Sequence, residues 1–262
     1  MLKPESLSPA RAGRGYCLIV LLTLLAGTAC AQVQAAGQNP YYARKNTFGI
    51  FTAYSNDSSH ILLGVAEQRK LMDFGVSYSR RLVLNHFVNW QYNGEFLPVA
   101  LESDPLEQEV VNQTSPVKET FTYKGGLPLS CIAYSIPFSS TDPVTGVTYS
   151  GTESYSCYGR RWTMGQAISP AGFQWNFSPR RKLQPFVIAH GGYMFSTQTI
   201  PIYGAGSFNF TFDIGAGVEL FRSQTKSIRA EYRYHHISNN NTASANPGID
   251  NGLFQITYSF GH

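Results

Sequence analysis

Residues 208–220 read FNFTFDIGAGVEL and alternate apolar with polar or small side chains throughout. Phe208, Phe210 and Phe212 begin the apolar series, which continues with isoleucine, alanine, valine and leucine at every second position. Asp213 and Glu219 belong to the opposite series. Because successive side chains of a β-strand point to opposite faces, the pattern predicts one long strand with one apolar and one polar face.

The same alternation recurs elsewhere, and no amphipathic helix pattern competes with it. Eight strands are predicted, at residues 47–55, 71–82, 86–98, 166–178, 183–195, 207–221, 227–237 and 251–260. The short connections at 80–85, 179–182 and 222–226 are expected to be turns at one end, with the long connections at the other. The segment 56–70 could extend the first hairpin, in a register that the pattern does not fix.

An eight-stranded set with one apolar face is typical of a small outer-membrane barrel. Such a sheet must close, because an open edge would leave unpaired backbone groups in hydrocarbon. After the N-terminal region, no stretch reaches the roughly 20 apolar residues that a spanning helix needs. The predicted fold class is therefore all-β, an eight-stranded antiparallel transmembrane β-barrel. Charged side chains are expected to fill its lumen without a pore; they are Asp73, Asp213, Glu219, Arg229, Glu231 and Arg233.

The N-terminus has the pattern of a secretory signal peptide, with basic residues before an apolar run at 17–26 and small residues around Cys30. Acylation of Cys30 in a lipoprotein is the alternative. Cleavage after Ala31 would leave 17 basic and 15 acidic residues, a net charge of +2, which argues against nucleic acid as a partner.

The predicted organisation has three parts. Residues 1–31 form the signal peptide, and residues 32–46 form a short N-terminal periplasmic segment. Residues 47–262 form the barrel, with a long surface loop at about 102–164. Cys131 and Cys157 lie in that loop, and two cysteines in an exported chain predict one disulfide. We expect it to order the loop rather than to perform redox chemistry, because the chain has no Cys-x-x-Cys motif.

Candidate chemistry lies near the C-terminus. His236 and Ser238 are two residues apart, so they share one face of a strand, with Cα atoms about 6.5 Å apart. In a barrel that face is the lipid-facing exterior, and Asp250 has the same parity on the final strand. A serine nucleophile needs a base, and the base needs an acid that orients it. His235, with the opposite parity, is expected to fill the lumen, and the remaining histidines form no ligand set.

The wider pattern is more specific. His-x-Ser-Asn, six further residues and Asn-Pro-Gly-Ile-Asp before a closing aromatic strand resemble the lipid A 3-O-deacylase (PagL-like) family of outer-membrane acyl hydrolases. The resemblance is strong over 208–260 and looser from residue 47 onward. It departs from the family in two respects, because Asp250 stands where the family normally has glutamate and because the loop with both cysteines is longer.

The resemblance implies a role for each matched residue. These roles are general base for His236, nucleophile for Ser238, acid for Asp250, support of the site or its oxyanion for Asn239, Asn246 and Gly248, and acyl-chain contact for Phe210. It implies hydrolysis of the ester-linked 3-hydroxyacyl chain at position 3 of lipid A, in the outer leaflet of the bacterial outer membrane. No cofactor or metal is expected, and a homodimer is left open.

Two other interpretations of the sequence remain open. One is a non-catalytic structural or adhesive barrel, whose asparagine-rich loop only caps the rim. Whether Asp250 can reach His236 distinguishes this barrel from the enzyme. The other is a different lipid A enzyme, such as a calcium-dependent deacylase or an acyltransferase. A calcium site would require several clustered oxygen ligands, and the sequence near the rim has no such cluster.

Overall fold

The computed structural model describes residues 40–262, so the predicted signal peptide lies outside the described residues. This part of the chain contains ten antiparallel strands: β1 (Asn46–Ser55), β2 (Lys70–Leu84), β3 (Val88–Ser115), β4 (Glu119–Gly126), β5 (Tyr134–Thr141), β6 (Thr148–Phe177), β7 (Leu183–Ser196), β8 (Phe208–Phe221), β9 (Lys226–Ser238) and β10 (Ile249–Gly261). Among residues 40–262, no helix is long and apolar enough to cross a membrane.

Eight of these strands form a closed ring. The order is β1-β2-β3-β6-β7-β8-β9-β10, and β10 pairs with β1 to complete it. Closure removes every free edge from the ring, as a barrel in lipid requires. The predicted all-β, eight-stranded antiparallel barrel is therefore confirmed, and most strand bounds agree with the prediction within a few residues.

The lumen is packed with side chains of one parity. In β9, Arg229, Glu231 and Arg233 are almost fully buried, whereas Tyr232 between them is 62% exposed on the outside. Arg233 is the hub of a charged network: it donates two hydrogen bonds of 2.8 Å to the Glu95 carboxylate and also contacts Glu231 at 3.1 Å. A buried guanidinium is tolerated only with such partners, and the alternation of the sequence places Glu95 on the facing strand β3 and Glu231 two residues away in β9.

An apolar cluster also lies in the lumen, near the outer ends of β9 and β10. Ile237 from β9 and Ile249 from β10 belong to a buried cluster there, with Leu71 from β2 and Met194 from β7. These two isoleucines face inward directly beside the residues with predicted catalytic roles. They anchor the outer ends of β9 and β10 through apolar packing.

Residues 102–164, which the sequence predicted as a long surface loop, are largely β-strand. β3 and β6 continue past the ring as a long hairpin, paired from Glu102↔Thr163 to Ser115↔Ser150, and β4 and β5 flank them. Register shifts interrupt this pairing, for example at Leu106/Glu107. Alternation is hard to detect here because the bulges change the parity and because neither face has a core to bury.

The predicted disulfide is confirmed. Cys131 and Cys157 are bonded, with Cα atoms 5.9 Å apart. The bond joins the connection between β4 and β5 to β6, so it fastens that connection to the long hairpin. It belongs to the part of the chain beyond the ring.

Candidate active site

The outer ends of three neighbouring strands bring together the predicted residues. His236 in β9 is directly opposite Asp250 in β10, and Ser238 in β9 is directly opposite Phe210 in β8. All four residues have the outward parity, whereas Ile237 between the histidine and the serine faces the lumen. The candidate site therefore lies on the outside of the barrel wall at its outer rim.

The histidine and the acid are in contact. His236 Nδ1 lies 2.6 Å from Asp250 Oδ1, and the Asp250 side chain is fully buried while that of His236 is 12% exposed. Nδ1–H therefore donates to the carboxylate, which leaves Nε2 as the nitrogen that can accept a proton. The shorter acid at this position reaches the ring.

Ser238 lies on the same face as His236, at the end of β9. Ser238 is partly buried at the end of β9, and within residues 40–262 its hydroxyl makes no hydrogen bond. Contacts between a nucleophile and its base are often long in the free state of an enzyme and tighten with substrate. The strand geometry keeps Ser238 within two residues of His236, on one side of the wall.

Three further donors hold the acid, and sequence reasoning did not find them. The Tyr234 hydroxyl donates to Asp250 Oδ1 at 2.8 Å, while the backbone amides of Leu62 and Leu63 donate to Oδ2 at 2.7 and 2.8 Å. With His236, the carboxylate therefore accepts four hydrogen bonds. Tyr234 could have been found from its parity, because it is two residues before His236 on the same face of β9. The two backbone amides could not, because no particular side chain marks a backbone donor in the sequence.

The amides come from residues 56–69, which we call the outer segment. The outer segment lies alongside the start of β10 rather than extending the first hairpin. Ser58 forms an isolated β-bridge with Asn251, and Ala66 forms one with Ile249. Between these two points the chain bulges over Asp250 on its outward side. Gly64 permits this approach, because a Cβ atom there would lie 2.6 Å from the backbone nitrogen of Asp250.

The asparagines at the site have distinct contacts. The Asn239 side chain is buried and engaged, with Nδ2 donating to the carbonyls of Ala205 and Ala245 and Oδ1 accepting from the Asn241 amide at 2.9 Å. Asn246 Oδ1 accepts from the Asn239 amide at 3.0 Å, and within residues 40–262 its Nδ2 makes no hydrogen bond. Asn239 thus holds the loop after β9, and Asn246 keeps a free donor.

Gly248 approaches the His236 ring closely. Its φ is +64°, and a Cβ atom there would lie 3.1 Å from His236 Cε1. The left-handed conformation and the close approach both favour glycine. Its carbonyl also accepts from the Ala66 amide at 3.1 Å, so the same residue connects the β9–β10 loop to the outer segment.

An apolar wall lies beside the serine. Phe210 is 41% exposed and packs edge-on against Phe208, with ring centroids 5.1 Å apart. Phe212, which is opposite His236, is exposed on the same face. It was not assigned a role from the sequence, although the alternation of β8 places it there. A chain lying along β8 would meet all three rings.

Two other histidines face the lumen, on the opposite side of the barrel wall from this patch. His235 faces the lumen, as its parity predicts, with Nδ1 3.8 Å from Asp213 Oδ2. His190 is also inside, between Asp213 at 2.9 Å and Asn93 at 2.8 Å. Across residues 40–262, no group of three or more His, Cys, Asp or Glu side chains could hold a metal ion.

Comparisons with known proteins give the following matches. Residues 133–259 match the model of the family described as Lipid A 3-O-deacylase (PagL). The crystal structure of the outer membrane enzyme PagL has a TM-score of 0.45 and 14% identity, over 82% of this chain and 99% of that chain. The crystal structure of Neisserial surface protein A (NspA) has a TM-score of 0.41 and 9% identity, over 83% of this chain and 97% of that chain.

The outer membrane protein OprG from Pseudomonas aeruginosa has a TM-score of 0.37 and 11% identity, over 85% of this chain and 100% of that chain. Curated protein sequences give no match. The family match includes β8, β9 and most of β10, and these strands carry the candidate site. Together with the closed ring and its apolar exterior, the family match places the protein in the bacterial outer membrane. Over residues 133–259, the chain is therefore similar to the lipid A 3-O-deacylase (PagL) family.

Proposed function

We propose that this protein hydrolyses the ester-linked 3-hydroxyacyl chain at position 3 of lipid A. The observation that carries the proposal is the His236–Asp250 pair, with Nδ1 2.6 Å from Oδ1, facing outward beside Ser238. The family match over residues 133–259 supports the same substrate class.

The reaction would proceed by acyl transfer to the serine. Ser238 Oγ attacks the ester carbonyl while His236 Nε2 takes the hydroxyl proton, and Asp250 stabilises the resulting imidazolium. The tetrahedral intermediate collapses with departure of the glucosamine 3-hydroxyl, which receives the proton from His236. Water, activated by the same histidine, then cleaves the acyl-enzyme and releases the 3-hydroxy fatty acid.

Placement on the outside of the wall suits this substrate. The acyl chains of lipid A lie in the outer leaflet and reach a barrel only from its lipid side. Ser238 has the outward parity, and Phe210 and Phe212 supply an apolar surface beside it. A site of the opposite parity would face the lumen, where Ile237 and Ile249 are buried among other side chains.

An oxyanion donor is also available. Asn246 Nδ2 is free to donate, whereas Asn239 Nδ2 is already bound to two carbonyls. We therefore assign the donor role to Asn246 and a loop-holding role to Asn239. Loss of one such donor typically lowers the rate by ~10²–10³.

The direct test is fatty-acid release from purified lipopolysaccharide in detergent by the wild-type protein and Ser238→Ala. The wild type should release the 3-hydroxy fatty acid, detected by mass spectrometry, and Ser238→Ala should release none. Heat-modifiable gel mobility shows whether each barrel is folded. A folded wild-type barrel without activity would favour the non-catalytic structural or adhesive alternative, and undiminished release by Ser238→Ala would rule out the nucleophile.

A further inference from the structure

The outer segment presents an unusual apolar turn. Ile61, Leu62 and Leu63 are consecutive and 45%, 69% and 65% exposed. Residues 61–65 read ILLGV and contain no charged or polar side chain. Three large aliphatic side chains exposed side by side indicate a contact surface rather than ordinary surface variation.

The position of this turn identifies what it contacts. Its amides at Leu62 and Leu63 bind the Asp250 carboxylate, which points away from the lumen, so the turn lies on the outer side of the barrel wall. Below it, Tyr54 of β1 is paired with Phe254 of β10, and both rings are exposed on the lipid-facing surface. The apolar turn therefore continues the lipid-facing surface upward to the candidate site.

The turn also connects that surface to the acid. Ser58 and Ala66 fix its two ends to β10, but the side chains of residues 61–63 have no comparable anchor on the barrel. The hydrogen bonds to Asp250 Oδ2 come from the peptide units that carry these exposed side chains. Whatever holds the side chains therefore also holds the amides on the carboxylate.

We propose that the turn Ile61–Leu63 inserts among the acyl chains of the outer leaflet, and that this lipid contact holds the Leu62 and Leu63 amides on Asp250. The turn is then both a membrane contact and a positioning element for the acid. The second statement rests on the proposed function, whereas the first does not.

The membrane contact is tested with a nitroxide label in phosphatidylcholine vesicles. Leu62→Cys is labelled with the native disulfide intact, and Val144→Cys, 91% exposed in the turn between β5 and β6, is the matched control. The label at 62 should collide more with oxygen than with a water-soluble nickel chelate, and the label at 144 should show the reverse. Equal behaviour at both positions would overturn the membrane contact, whatever the catalytic result.

The positioning role is tested by activity on lipopolysaccharide in the same vesicles. Leu62→Asn combined with Leu63→Asn keeps both amides but removes the apolar anchor, so kcat should fall by about tenfold or more, with a smaller change in KM. Leu62→Ile with Leu63→Ile should restore the rate, and Val144→Asn should leave it unchanged. An unchanged kcat in the asparagine variant would refute the positioning role even if the label reports lipid.

If the wild type releases no fatty acid, the proposed function fails instead, and the labelling result is unaffected. The two proposals are therefore separated by different measurements.

Discussion

His236 Nδ1 lies 2.6 Å from Asp250 Oδ1, at directly paired positions of β9 and β10. Side chains at paired positions of an antiparallel sheet start from Cβ atoms about 5 Å apart, so a short acid is sufficient to reach the ring. This relationship explains how an aspartate contacts the histidine at a position where the family that the sequence resembles normally has glutamate. It also defines the acid as part of a rigid sheet rather than of a loop.

Asp250→Asn should lower the rate of fatty-acid release by about 10²–10⁴-fold, because an amide holds the ring without stabilising its positive charge and can fix the wrong tautomer. The measurement is release from lipopolysaccharide in detergent. Asp57→Asn is the matched control, since Asp57 is an exposed acid of the outer segment. A wild-type rate in Asp250→Asn would show that the acid has no catalytic role.

Asp250→Glu should not behave as a conservative change. The Asp250 side chain is fully buried, and its oxygens already accept from His236, Tyr234 and two amides of the outer segment. An added methylene must displace these donors, and overpacking of this kind costs about 1–3 kcal/mol; where that cost falls on the geometry of the reaction, it corresponds to a loss of rate of roughly 5–150-fold. Full activity in Asp250→Glu would mean that the outer segment moves freely.

Tyr234→Phe removes one of the four hydrogen bonds to the carboxylate and leaves the ring in place. A single hydrogen bond to a charged group contributes about 1.5–3 kcal/mol, which sets an upper limit of roughly 10–100-fold on the loss of rate. Tyr232→Phe is the matched control, because Tyr232 is on the same strand and face but is 62% exposed. If both variants kept the wild-type kcat, Tyr234 would have no positioning role.

The alternation of the sequence was sufficient to predict the ring of eight strands and the outward patch of His236, Ser238 and Asp250. It could not predict the contact of residues 56–69 with the acid, because backbone amides donate irrespective of the side chains they carry. The lengths of β3 and β6 were missed for a different reason. Residues 102–105 are buried consecutively rather than alternately, and beyond them the hairpin leaves the ring, so no single buried face imposes a period of two.

Cys131→Ser combined with Cys157→Ser should leave fatty-acid release within about twofold of the wild type, because the disulfide lies beyond the ring and joins β6 to the β4–β5 connection. The constraint that is lost acts on the β4–β5 connection, which is hydrogen-bonded to Glu67 and Gln68 at the end of the outer segment; closing a loop of this size contributes about 3 kcal/mol. Limited proteolysis should therefore cut the connection faster in the variant. Complete loss of activity in a folded barrel would assign the hairpin a direct role at the site.

Asn246 and Asn239 should respond differently to alanine. Asn246→Ala removes the free Nδ2 and should lower kcat by about 10²–10³-fold while the barrel keeps its thermal stability. Asn239→Ala removes the bonds to Ala205 and Ala245 and should loosen the loop after β9, which is measured by protease cleavage within residues 239–248. The rate in Asn246→Asp is decisive, because a carboxylate of similar size would repel the oxyanion instead of stabilising it. If Asn246→Ala retained the wild-type kcat and Asn239→Ala lost it without loosening the loop, the two assignments would be reversed.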